Sequence, residues 1–197
     1  MSIIYKTKDS AVEYFICKFV ENESITISPE IGIKENSFIH SSLSSINIKS
    51  ALTKIEKSAF ENCNELLNFV CGEIAQDKVD ENINGINLKE IESDFTVQKD
   101  AFKNCSKLET VILPEIKKVE FKRKGSKKVD EAKKLIIEKD AFSGCESLRT
   151  VVALCDEIDF TENPFADCPE YLTFVCRKNS KIDRFAREND YRSIYVE

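Results

Sequence analysis

A chain of 197 residues that is 42% hydrophobic and 32% charged has the balance of a folded protein and the length to bury a core. Its net charge of −6 has the wrong sign for the basic footprint of general nucleic-acid binding. Five glycines and a single histidine exclude a glycine-rich phosphate cradle and the ligand spacing of a zinc site.

No stretch approaches the ~20 apolar residues of a membrane-spanning helix. Residues 1–20 carry Lys6, Lys8, Asp9, Glu13 and Lys18, so they hold no signal-peptide h-region, and a complete chain of this kind is expected inside the cell. Residues 1–10 have no pattern. Tyr14 to Val20 is rich in strand formers, Glu21 to Ser24 breaks the run, and Ile25-Thr26-Ile27 resumes it. This predicts a β-hairpin cap within residues 1–27, covering the first of a series of repeats.

The repeats occupy residues 28–176 and are anchored by Phe38, Phe60, Phe102, Phe142 and Phe165. Counting from the Phe, an aliphatic falls at −5, Cys at +3, Leu at +6 and further apolar residues at +9 and +11. The +6/+9/+11 triplets are Leu43/Ile46/Ile48 (one residue early), Leu66/Phe69/Cys71, Leu108/Val111/Leu113, Leu148/Val151/Ala153 and Tyr171/Phe174/Cys176. Such a triplet is a short strand with one inward face, and a single strand of this kind cannot bury that face. Five of them stacked in parallel create a continuous core. The Phe then plugs a turn, and the cysteines Cys63, Cys105, Cys145 and Cys168 stack as a column of small buried side chains, without a CxxC to suggest metal or redox chemistry.

Successive anchors lie 22, 42, 40 and 23 residues apart, so two intervals carry insertions, near 73–85 and 122–134. The first is acidic, with Glu73, Asp77, Asp80 and Glu81 against Lys78, and Asn84-Gly85 marks a tight turn. The second is basic: Lys122, Arg123, Lys124, Lys127, Lys128, Lys133 and Lys134 against Asp130 and Glu131, read as a projecting hairpin around Gly125-Ser126. From 177 to 197 the pattern ends in a cap. Ser180 is placed to begin a helix carrying Ile182, Phe185 and Ala186, and Ile194-Tyr195-Val196 reads as a closing strand.

The phrase I-x-x-x-A-F-x-x-C-x-x-L-x-x-V-x-L-P, best matched from Val97 to Pro114, resembles the BspA-like (Treponema pallidum-type) leucine-rich repeat family over roughly residues 25–176. The resemblance implies an α/β-class right-handed solenoid of mostly parallel strands with little helix. It also implies a protein-binding or adhesive role, often at the cell surface, without catalysis or cofactor.

No G-x-S-x-G, Walker or H-E-x-x-H motif occurs, and His40 has no partner at a motif spacing, so no catalytic or metal-binding residue is assigned. The expected binding elements are two. One is the outer face of the sheet, where offsets +7, +8 and +10 point to solvent. Val70, Ile112, Val152 and Val175 at +10 form an apolar stripe there, beside Asn68, Thr110, Thr150 and Thr173 at +8 and Arg149 at +7. The partner expected there is another protein or a peptide, and the pair Ile112→Asp with Val152→Asp should abolish binding and spare the fold. The same stripe could instead mediate self-association, as in an assembly unit, and oligomeric state is left open. The other element is the basic insertion, through Lys122, Arg123, Lys124, Lys127 and Lys128, as a contact for a polyanion.

Overall fold

The computed structural model describes residues 24–27, 32–48, 52–74, 86–88, 90–116 and 133–196. The repeat register folds as the spacing requires. Each repeat turns through a tight loop into a strand of one long parallel sheet: β3 (Ser45–Ile48), β5 (Asn68–Ile74), β9 (Thr110–Ile112), β12 (Thr150–Val152) and β14 (Thr173–Cys176). Ile46, Phe69, Val111, Val151 and Phe174 share one register position and are all buried. The triplets therefore mark real strands.

The aliphatic at −5 has a larger role than that of a lone apolar position. It lies in a second parallel sheet formed by β2 (Gly32–Ile33), β4 (Lys54–Ile55), β8 (Phe95–Val97), β11 (Leu135–Ile137) and β13 (Ile158–Phe160). Ile33, Ile55, Val97, Ile137 and Phe160 align across it, with Phe95, Leu135 and Ile158 aligned two residues earlier. Two short strands, β7 (Glu90–Ile91) and β10 (Glu115–Ile116), pair as a third side. One core fills the space between these sheets.

Each anchor Phe stacks on those of the neighbouring repeats. The centroids of Phe38, Phe60, Phe102, Phe142 and Phe165 follow one another at 5.0, 5.0, 5.1 and 5.2 Å, with planes within 12° of parallel. At that separation the rings are offset, the favourable geometry for aromatic pairs. Phe69 meets Phe60 and Phe102 edge-on. The turn holding each ring needs left-handed backbone on both sides. Asn36, Ser58, Asp100 and Asp140 take it at −2, with Glu162 at −3 in the fifth repeat, and Asn62, Asn104, Gly144 and Asp167 take it at +2. Asn, Asp and Gly tolerate this region best. His40 fills the same +2 slot with φ 58°, which gives the single histidine a turn role.

The cysteine column does more than fill space. Each thiol donates a hydrogen bond to the carbonyl of the Phe one repeat back: Cys63 to Phe38 at 2.9 Å, Cys105 to Phe60 at 3.0 Å, Cys145 to Phe102 at 3.1 Å and Cys168 to Phe142 at 3.2 Å. Burial pushes the thiols of Cys155 and Cys168 up to about 12, so their nucleophilic thiolates are scarce at neutral pH. The described cysteines are all free, and Cys168 alone among them is only partly buried. In the native protein, Cys63, Cys105 and Cys145 are expected to resist a thiol reagent that labels them promptly after denaturation, with Cys168 reacting first. Mass-resolved labelling over time checks this order, and prompt native labelling of Cys105 would contradict the burial.

At the two ends the described residues include one strand before the first repeat and a helix and strand after the last. β1 (Ser24–Ile27) contains the Ile25-Ile27 segment assigned to the capping hairpin, but its partner among the described residues is β3, and the pairing is parallel. Ile25 stands opposite Ile46 and Ile27 opposite Ile48, so this segment is a further strand of the repeat sheet. The other proposed arm, Tyr14 to Val20, lies outside the described residues.

At the far end, helix α1 (Lys181–Glu188) starts at Ser180, whose hydroxyl accepts from the Asp183 N–H, and β15 (Arg192–Tyr195) pairs in parallel with β14. Asp183 is buried here. Burial alone would push its carboxyl up, but the Asn179 N–H, the Tyr195 hydroxyl and the Arg187 guanidinium hold it below the usual carboxylate range. A depressed folded value means the cap's stability is full above the unfolded carboxylate pKa and is lost as pH falls through the folded one. Amide exchange in residues 181–188, corrected for intrinsic rates, is expected to accelerate in acid before that of β9 does. Asp183→Asn should remove this pH dependence.

The first insertion follows β5 and precedes β7, and the second follows β10 and precedes β11. β5 runs on past the sheet to Ile74, where β6 (Ile86–Leu88) returns antiparallel to it, with Gly72 opposite Leu88 and Ile74 opposite Ile86. The turn assigned to Asn84-Gly85 lies outside the described residues, as do Lys122, Arg123, Lys124, Lys127 and Lys128.

Candidate functional site

The outer face of the repeat sheet grades from wet to dry along each strand. At +7, immediately before the strands, Leu67, Glu109 and Arg149 are exposed. Backbone bonds stack them directly: the Glu109 N–H donates to the Leu67 carbonyl, and the Arg149 N–H to that of Glu109, both at 2.9 Å. At +8, Asn68, Thr110, Thr150 and Thr173 are in register and half-buried. At +10 the face is dry.

That last observation corrects the expected binding stripe. Val70, Ile112, Val152 and Val175 do align on the outward face, but they are 1, 2, 2 and 0% exposed. They form a second apolar cluster against which Leu154, Ile194 and Val196 pack. Ile194 stands opposite Val175 in the register, so the closing strand extends the stripe, and Leu154 and Val196 add to it from beyond the strands. Alternation identified the residues that leave the inner face. It could not show that other parts of the chain cover the outer face as well. These four residues stabilise the sheet and present no surface to a partner.

A second correction concerns the fifth repeat. Tyr171 was assigned the buried +6 position, yet it is 58% exposed, and Leu172 is the fully buried residue. The Leu172 N–H bonds to the Pro169 carbonyl, whereas Leu108 and Leu148 bond to Cys105 and Cys145. The turn is therefore shifted by one residue, and Tyr171 swings out beside Arg149, whose guanidinium carbon lies 5.8 Å from the ring centroid.

The result is a strip across four successive strands: Leu67, Glu109, Arg149, Tyr171, flanked by the polar ladder of Asn68, Thr110, Thr150 and Thr173. Leu67 and Tyr171 are two of the four large apolar or aromatic side chains exposed among the described residues. Neither Glu109 nor Arg149 has an ion-pair partner among the described residues, although lysines and carboxylates elsewhere on the surface pair freely, as in Lys107–Glu65 and Lys181–Glu157. The repeat spacing exposes offset +7, but Leu67 and Glu109 share no chemical type that would mark them beside the apolar stripe. Nothing in the local letters of repeat five signalled Tyr171 except Pro169.

Among the described residues no group of three or more His, Cys, Asp or Glu could hold a metal, and no helix is long and apolar enough to cross a membrane. The BspA-type leucine-rich repeat region model matches residues 13–109 and 79–190 with six copies. The chain belongs to the BspA-type leucine-rich repeat family. The six copies agree with the strand inventory, in which β1 joins the five repeat strands that follow it. Neither the curated proteins nor the solved structures provide a match. BspA-type leucine-rich repeats are typically non-enzymatic scaffolds that mediate protein binding, and they suggest the same general character for this chain.

Proposed function

We propose that the chain is a non-catalytic protein-binding module whose contact surface is the strip formed by Leu67, Glu109, Arg149 and Tyr171 with the polar ladder beside it. The observation that carries this reading is the concentration of exposed apolar, charged and aromatic side chains in one line on an otherwise well-filled sheet. Backbone hydrogen bonds immediately before the strands hold Leu67, Glu109 and Arg149 in line, and Arg and Tyr are among the residue types most often found at the energetic centre of interfaces. Asn and Thr next to them supply hydrogen bonds at the rim.

A photo-reactive residue at position 67 tests the proposal. On irradiation in the native source it should join a protein, and Arg149→Glu in the same chain should remove that adduct. The same probe at Glu188 on the exposed side of α1 serves as control. Equal adducts at both positions, or none at 67, would refute the strip as the contact surface.

A further inference from the structure

The order of side chains along the strip has a symmetry that bears on what binds it. From Leu67 to Tyr171 the strip reads apolar, acidic, basic, aromatic, and neighbouring strands advance by about 4.8 Å. Turn a second copy through 180° about an axis that lies in the contact plane, runs along the strands and passes between Glu109 and Arg149. Glu109 then faces the second copy's Arg149, Arg149 faces its Glu109, and each Leu67 faces a Tyr171. The polar ladder obeys the same rule, since Thr110 meets Thr150 and Asn68 meets Thr173, pairs in which both members donate and accept. This is the condition for a two-fold contact, where residue i touches j and j touches i.

We infer that the partner of this strip is a second copy of the chain, bound antiparallel about that two-fold axis. The inference rests on the reading that the strip is the contact surface. Charge complementarity selects the antiparallel arrangement. In a parallel apposition Glu109 would face Glu109 and Arg149 would face Arg149, and like charges placed together disfavour a contact strongly. The lack of ion-pair partners for both residues among the described side chains leaves their charges available for this use. Tyr171 already lies beside Arg149, so the pair is arranged before contact.

Sedimentation velocity of the full chain, from about 1 µM to about 1 mM, tests this over the range of modest affinities. The unaltered chain should pass from monomer to dimer. Glu109→Arg and Arg149→Glu, each folded by circular dichroism, should each weaken the dimer by about tenfold or more. The double variant should recover it, and an equimolar mixture of the two single variants should associate although neither does so alone. A photo-reactive residue at 67 should mark the second copy's peptide containing Tyr171.

A monomer at every concentration would overturn the inference. So would a dimer indifferent to both single reversals, or one in which position 67 marks Leu67 of the other copy. Should position 67 join only a foreign protein, the two-fold dimer is wrong and the contact surface stands; should it join nothing, both fail.

Discussion

Phe102→Ala is expected to lower the stability of the chain by about 3–5 kcal/mol, the range for truncating a buried aromatic. Phe102 sits in the middle of the ring stack, with Phe60 at 5.0 Å on one side, Phe142 at 5.1 Å on the other, and Phe69 edge-on at 5.0 Å. Removing it deletes three aromatic contacts, each worth about 0.5–1.5 kcal/mol beyond area burial, and leaves a cavity in a fully buried site. The flanking rings cannot close the gap, because the Phe102 N–H bonds to the Ala141 carbonyl and the Phe60 N–H to that of Ala101, which fixes the repeat spacing. Native stabilities of about 5–15 kcal/mol make such a loss a large fraction of the whole. Urea unfolding at constant slope would measure it. A loss below about 1 kcal/mol would mean that the stack relaxes and that the rings are not the rigid spine described above.

The second large effect reverses the initial expectation for the outward stripe. Val152→Asp should disrupt folding. The position is 2% exposed and lies between Ile112 and Val175 in the register, with no polar group of the cluster to receive a charge. An uncompensated buried charge costs about 3–5 kcal/mol, and the introduced carboxyl responds by raising its pKa in the folded state. The sign follows: a raised folded value makes the penalty smallest in acid and largest above the folded pKa. Thermal melts should therefore show the variant approaching the parent as pH falls. Arg149→Asp, three residues away at the exposed +7 position, should shift stability by no more than about 1 kcal/mol. A folded Val152→Asp chain with parental stability at neutral pH would show the stripe to be uncovered.

These residues also show what the letters alone could and could not reveal. Phe, Cys and the strand triplets were readable because a repeated fold forces the same side chain into the same hole at each turn, so chemistry and spacing agree. Ser180 was readable for a similarly local reason, since an N-cap hydroxyl serves a backbone N–H three residues on. The burial of Val70, Ile112, Val152 and Val175 was not, because it depends on segments distant in sequence such as Ile194 and Val196. The second sheet was half-visible: the −5 aliphatic repeats faithfully, but two- or three-residue strands have too little alternation to announce themselves. Tyr171 and Leu172 exchange roles through a shift of one residue, and composition does not resolve a shift that small. The candidate strip emerged from that shift and from an offset whose residues share no chemical type.

The ring stack has one more implication. Phe38 and Phe60 are 22 residues apart in the chain, and Phe60 and Phe102 are 42 apart, yet both pairs are separated by 5.0 Å. The extra residues therefore leave no trace in the spine. For a flexible segment, doubling the length costs only about 0.6 kcal/mol in closure entropy. The frame thus keeps its ring spacing whether the segments joining its sides are short or long, and residues can be added in those segments at little thermodynamic consequence. A descendant of this sequence could acquire a wholly new appendage there, and its spine would carry no record of the change.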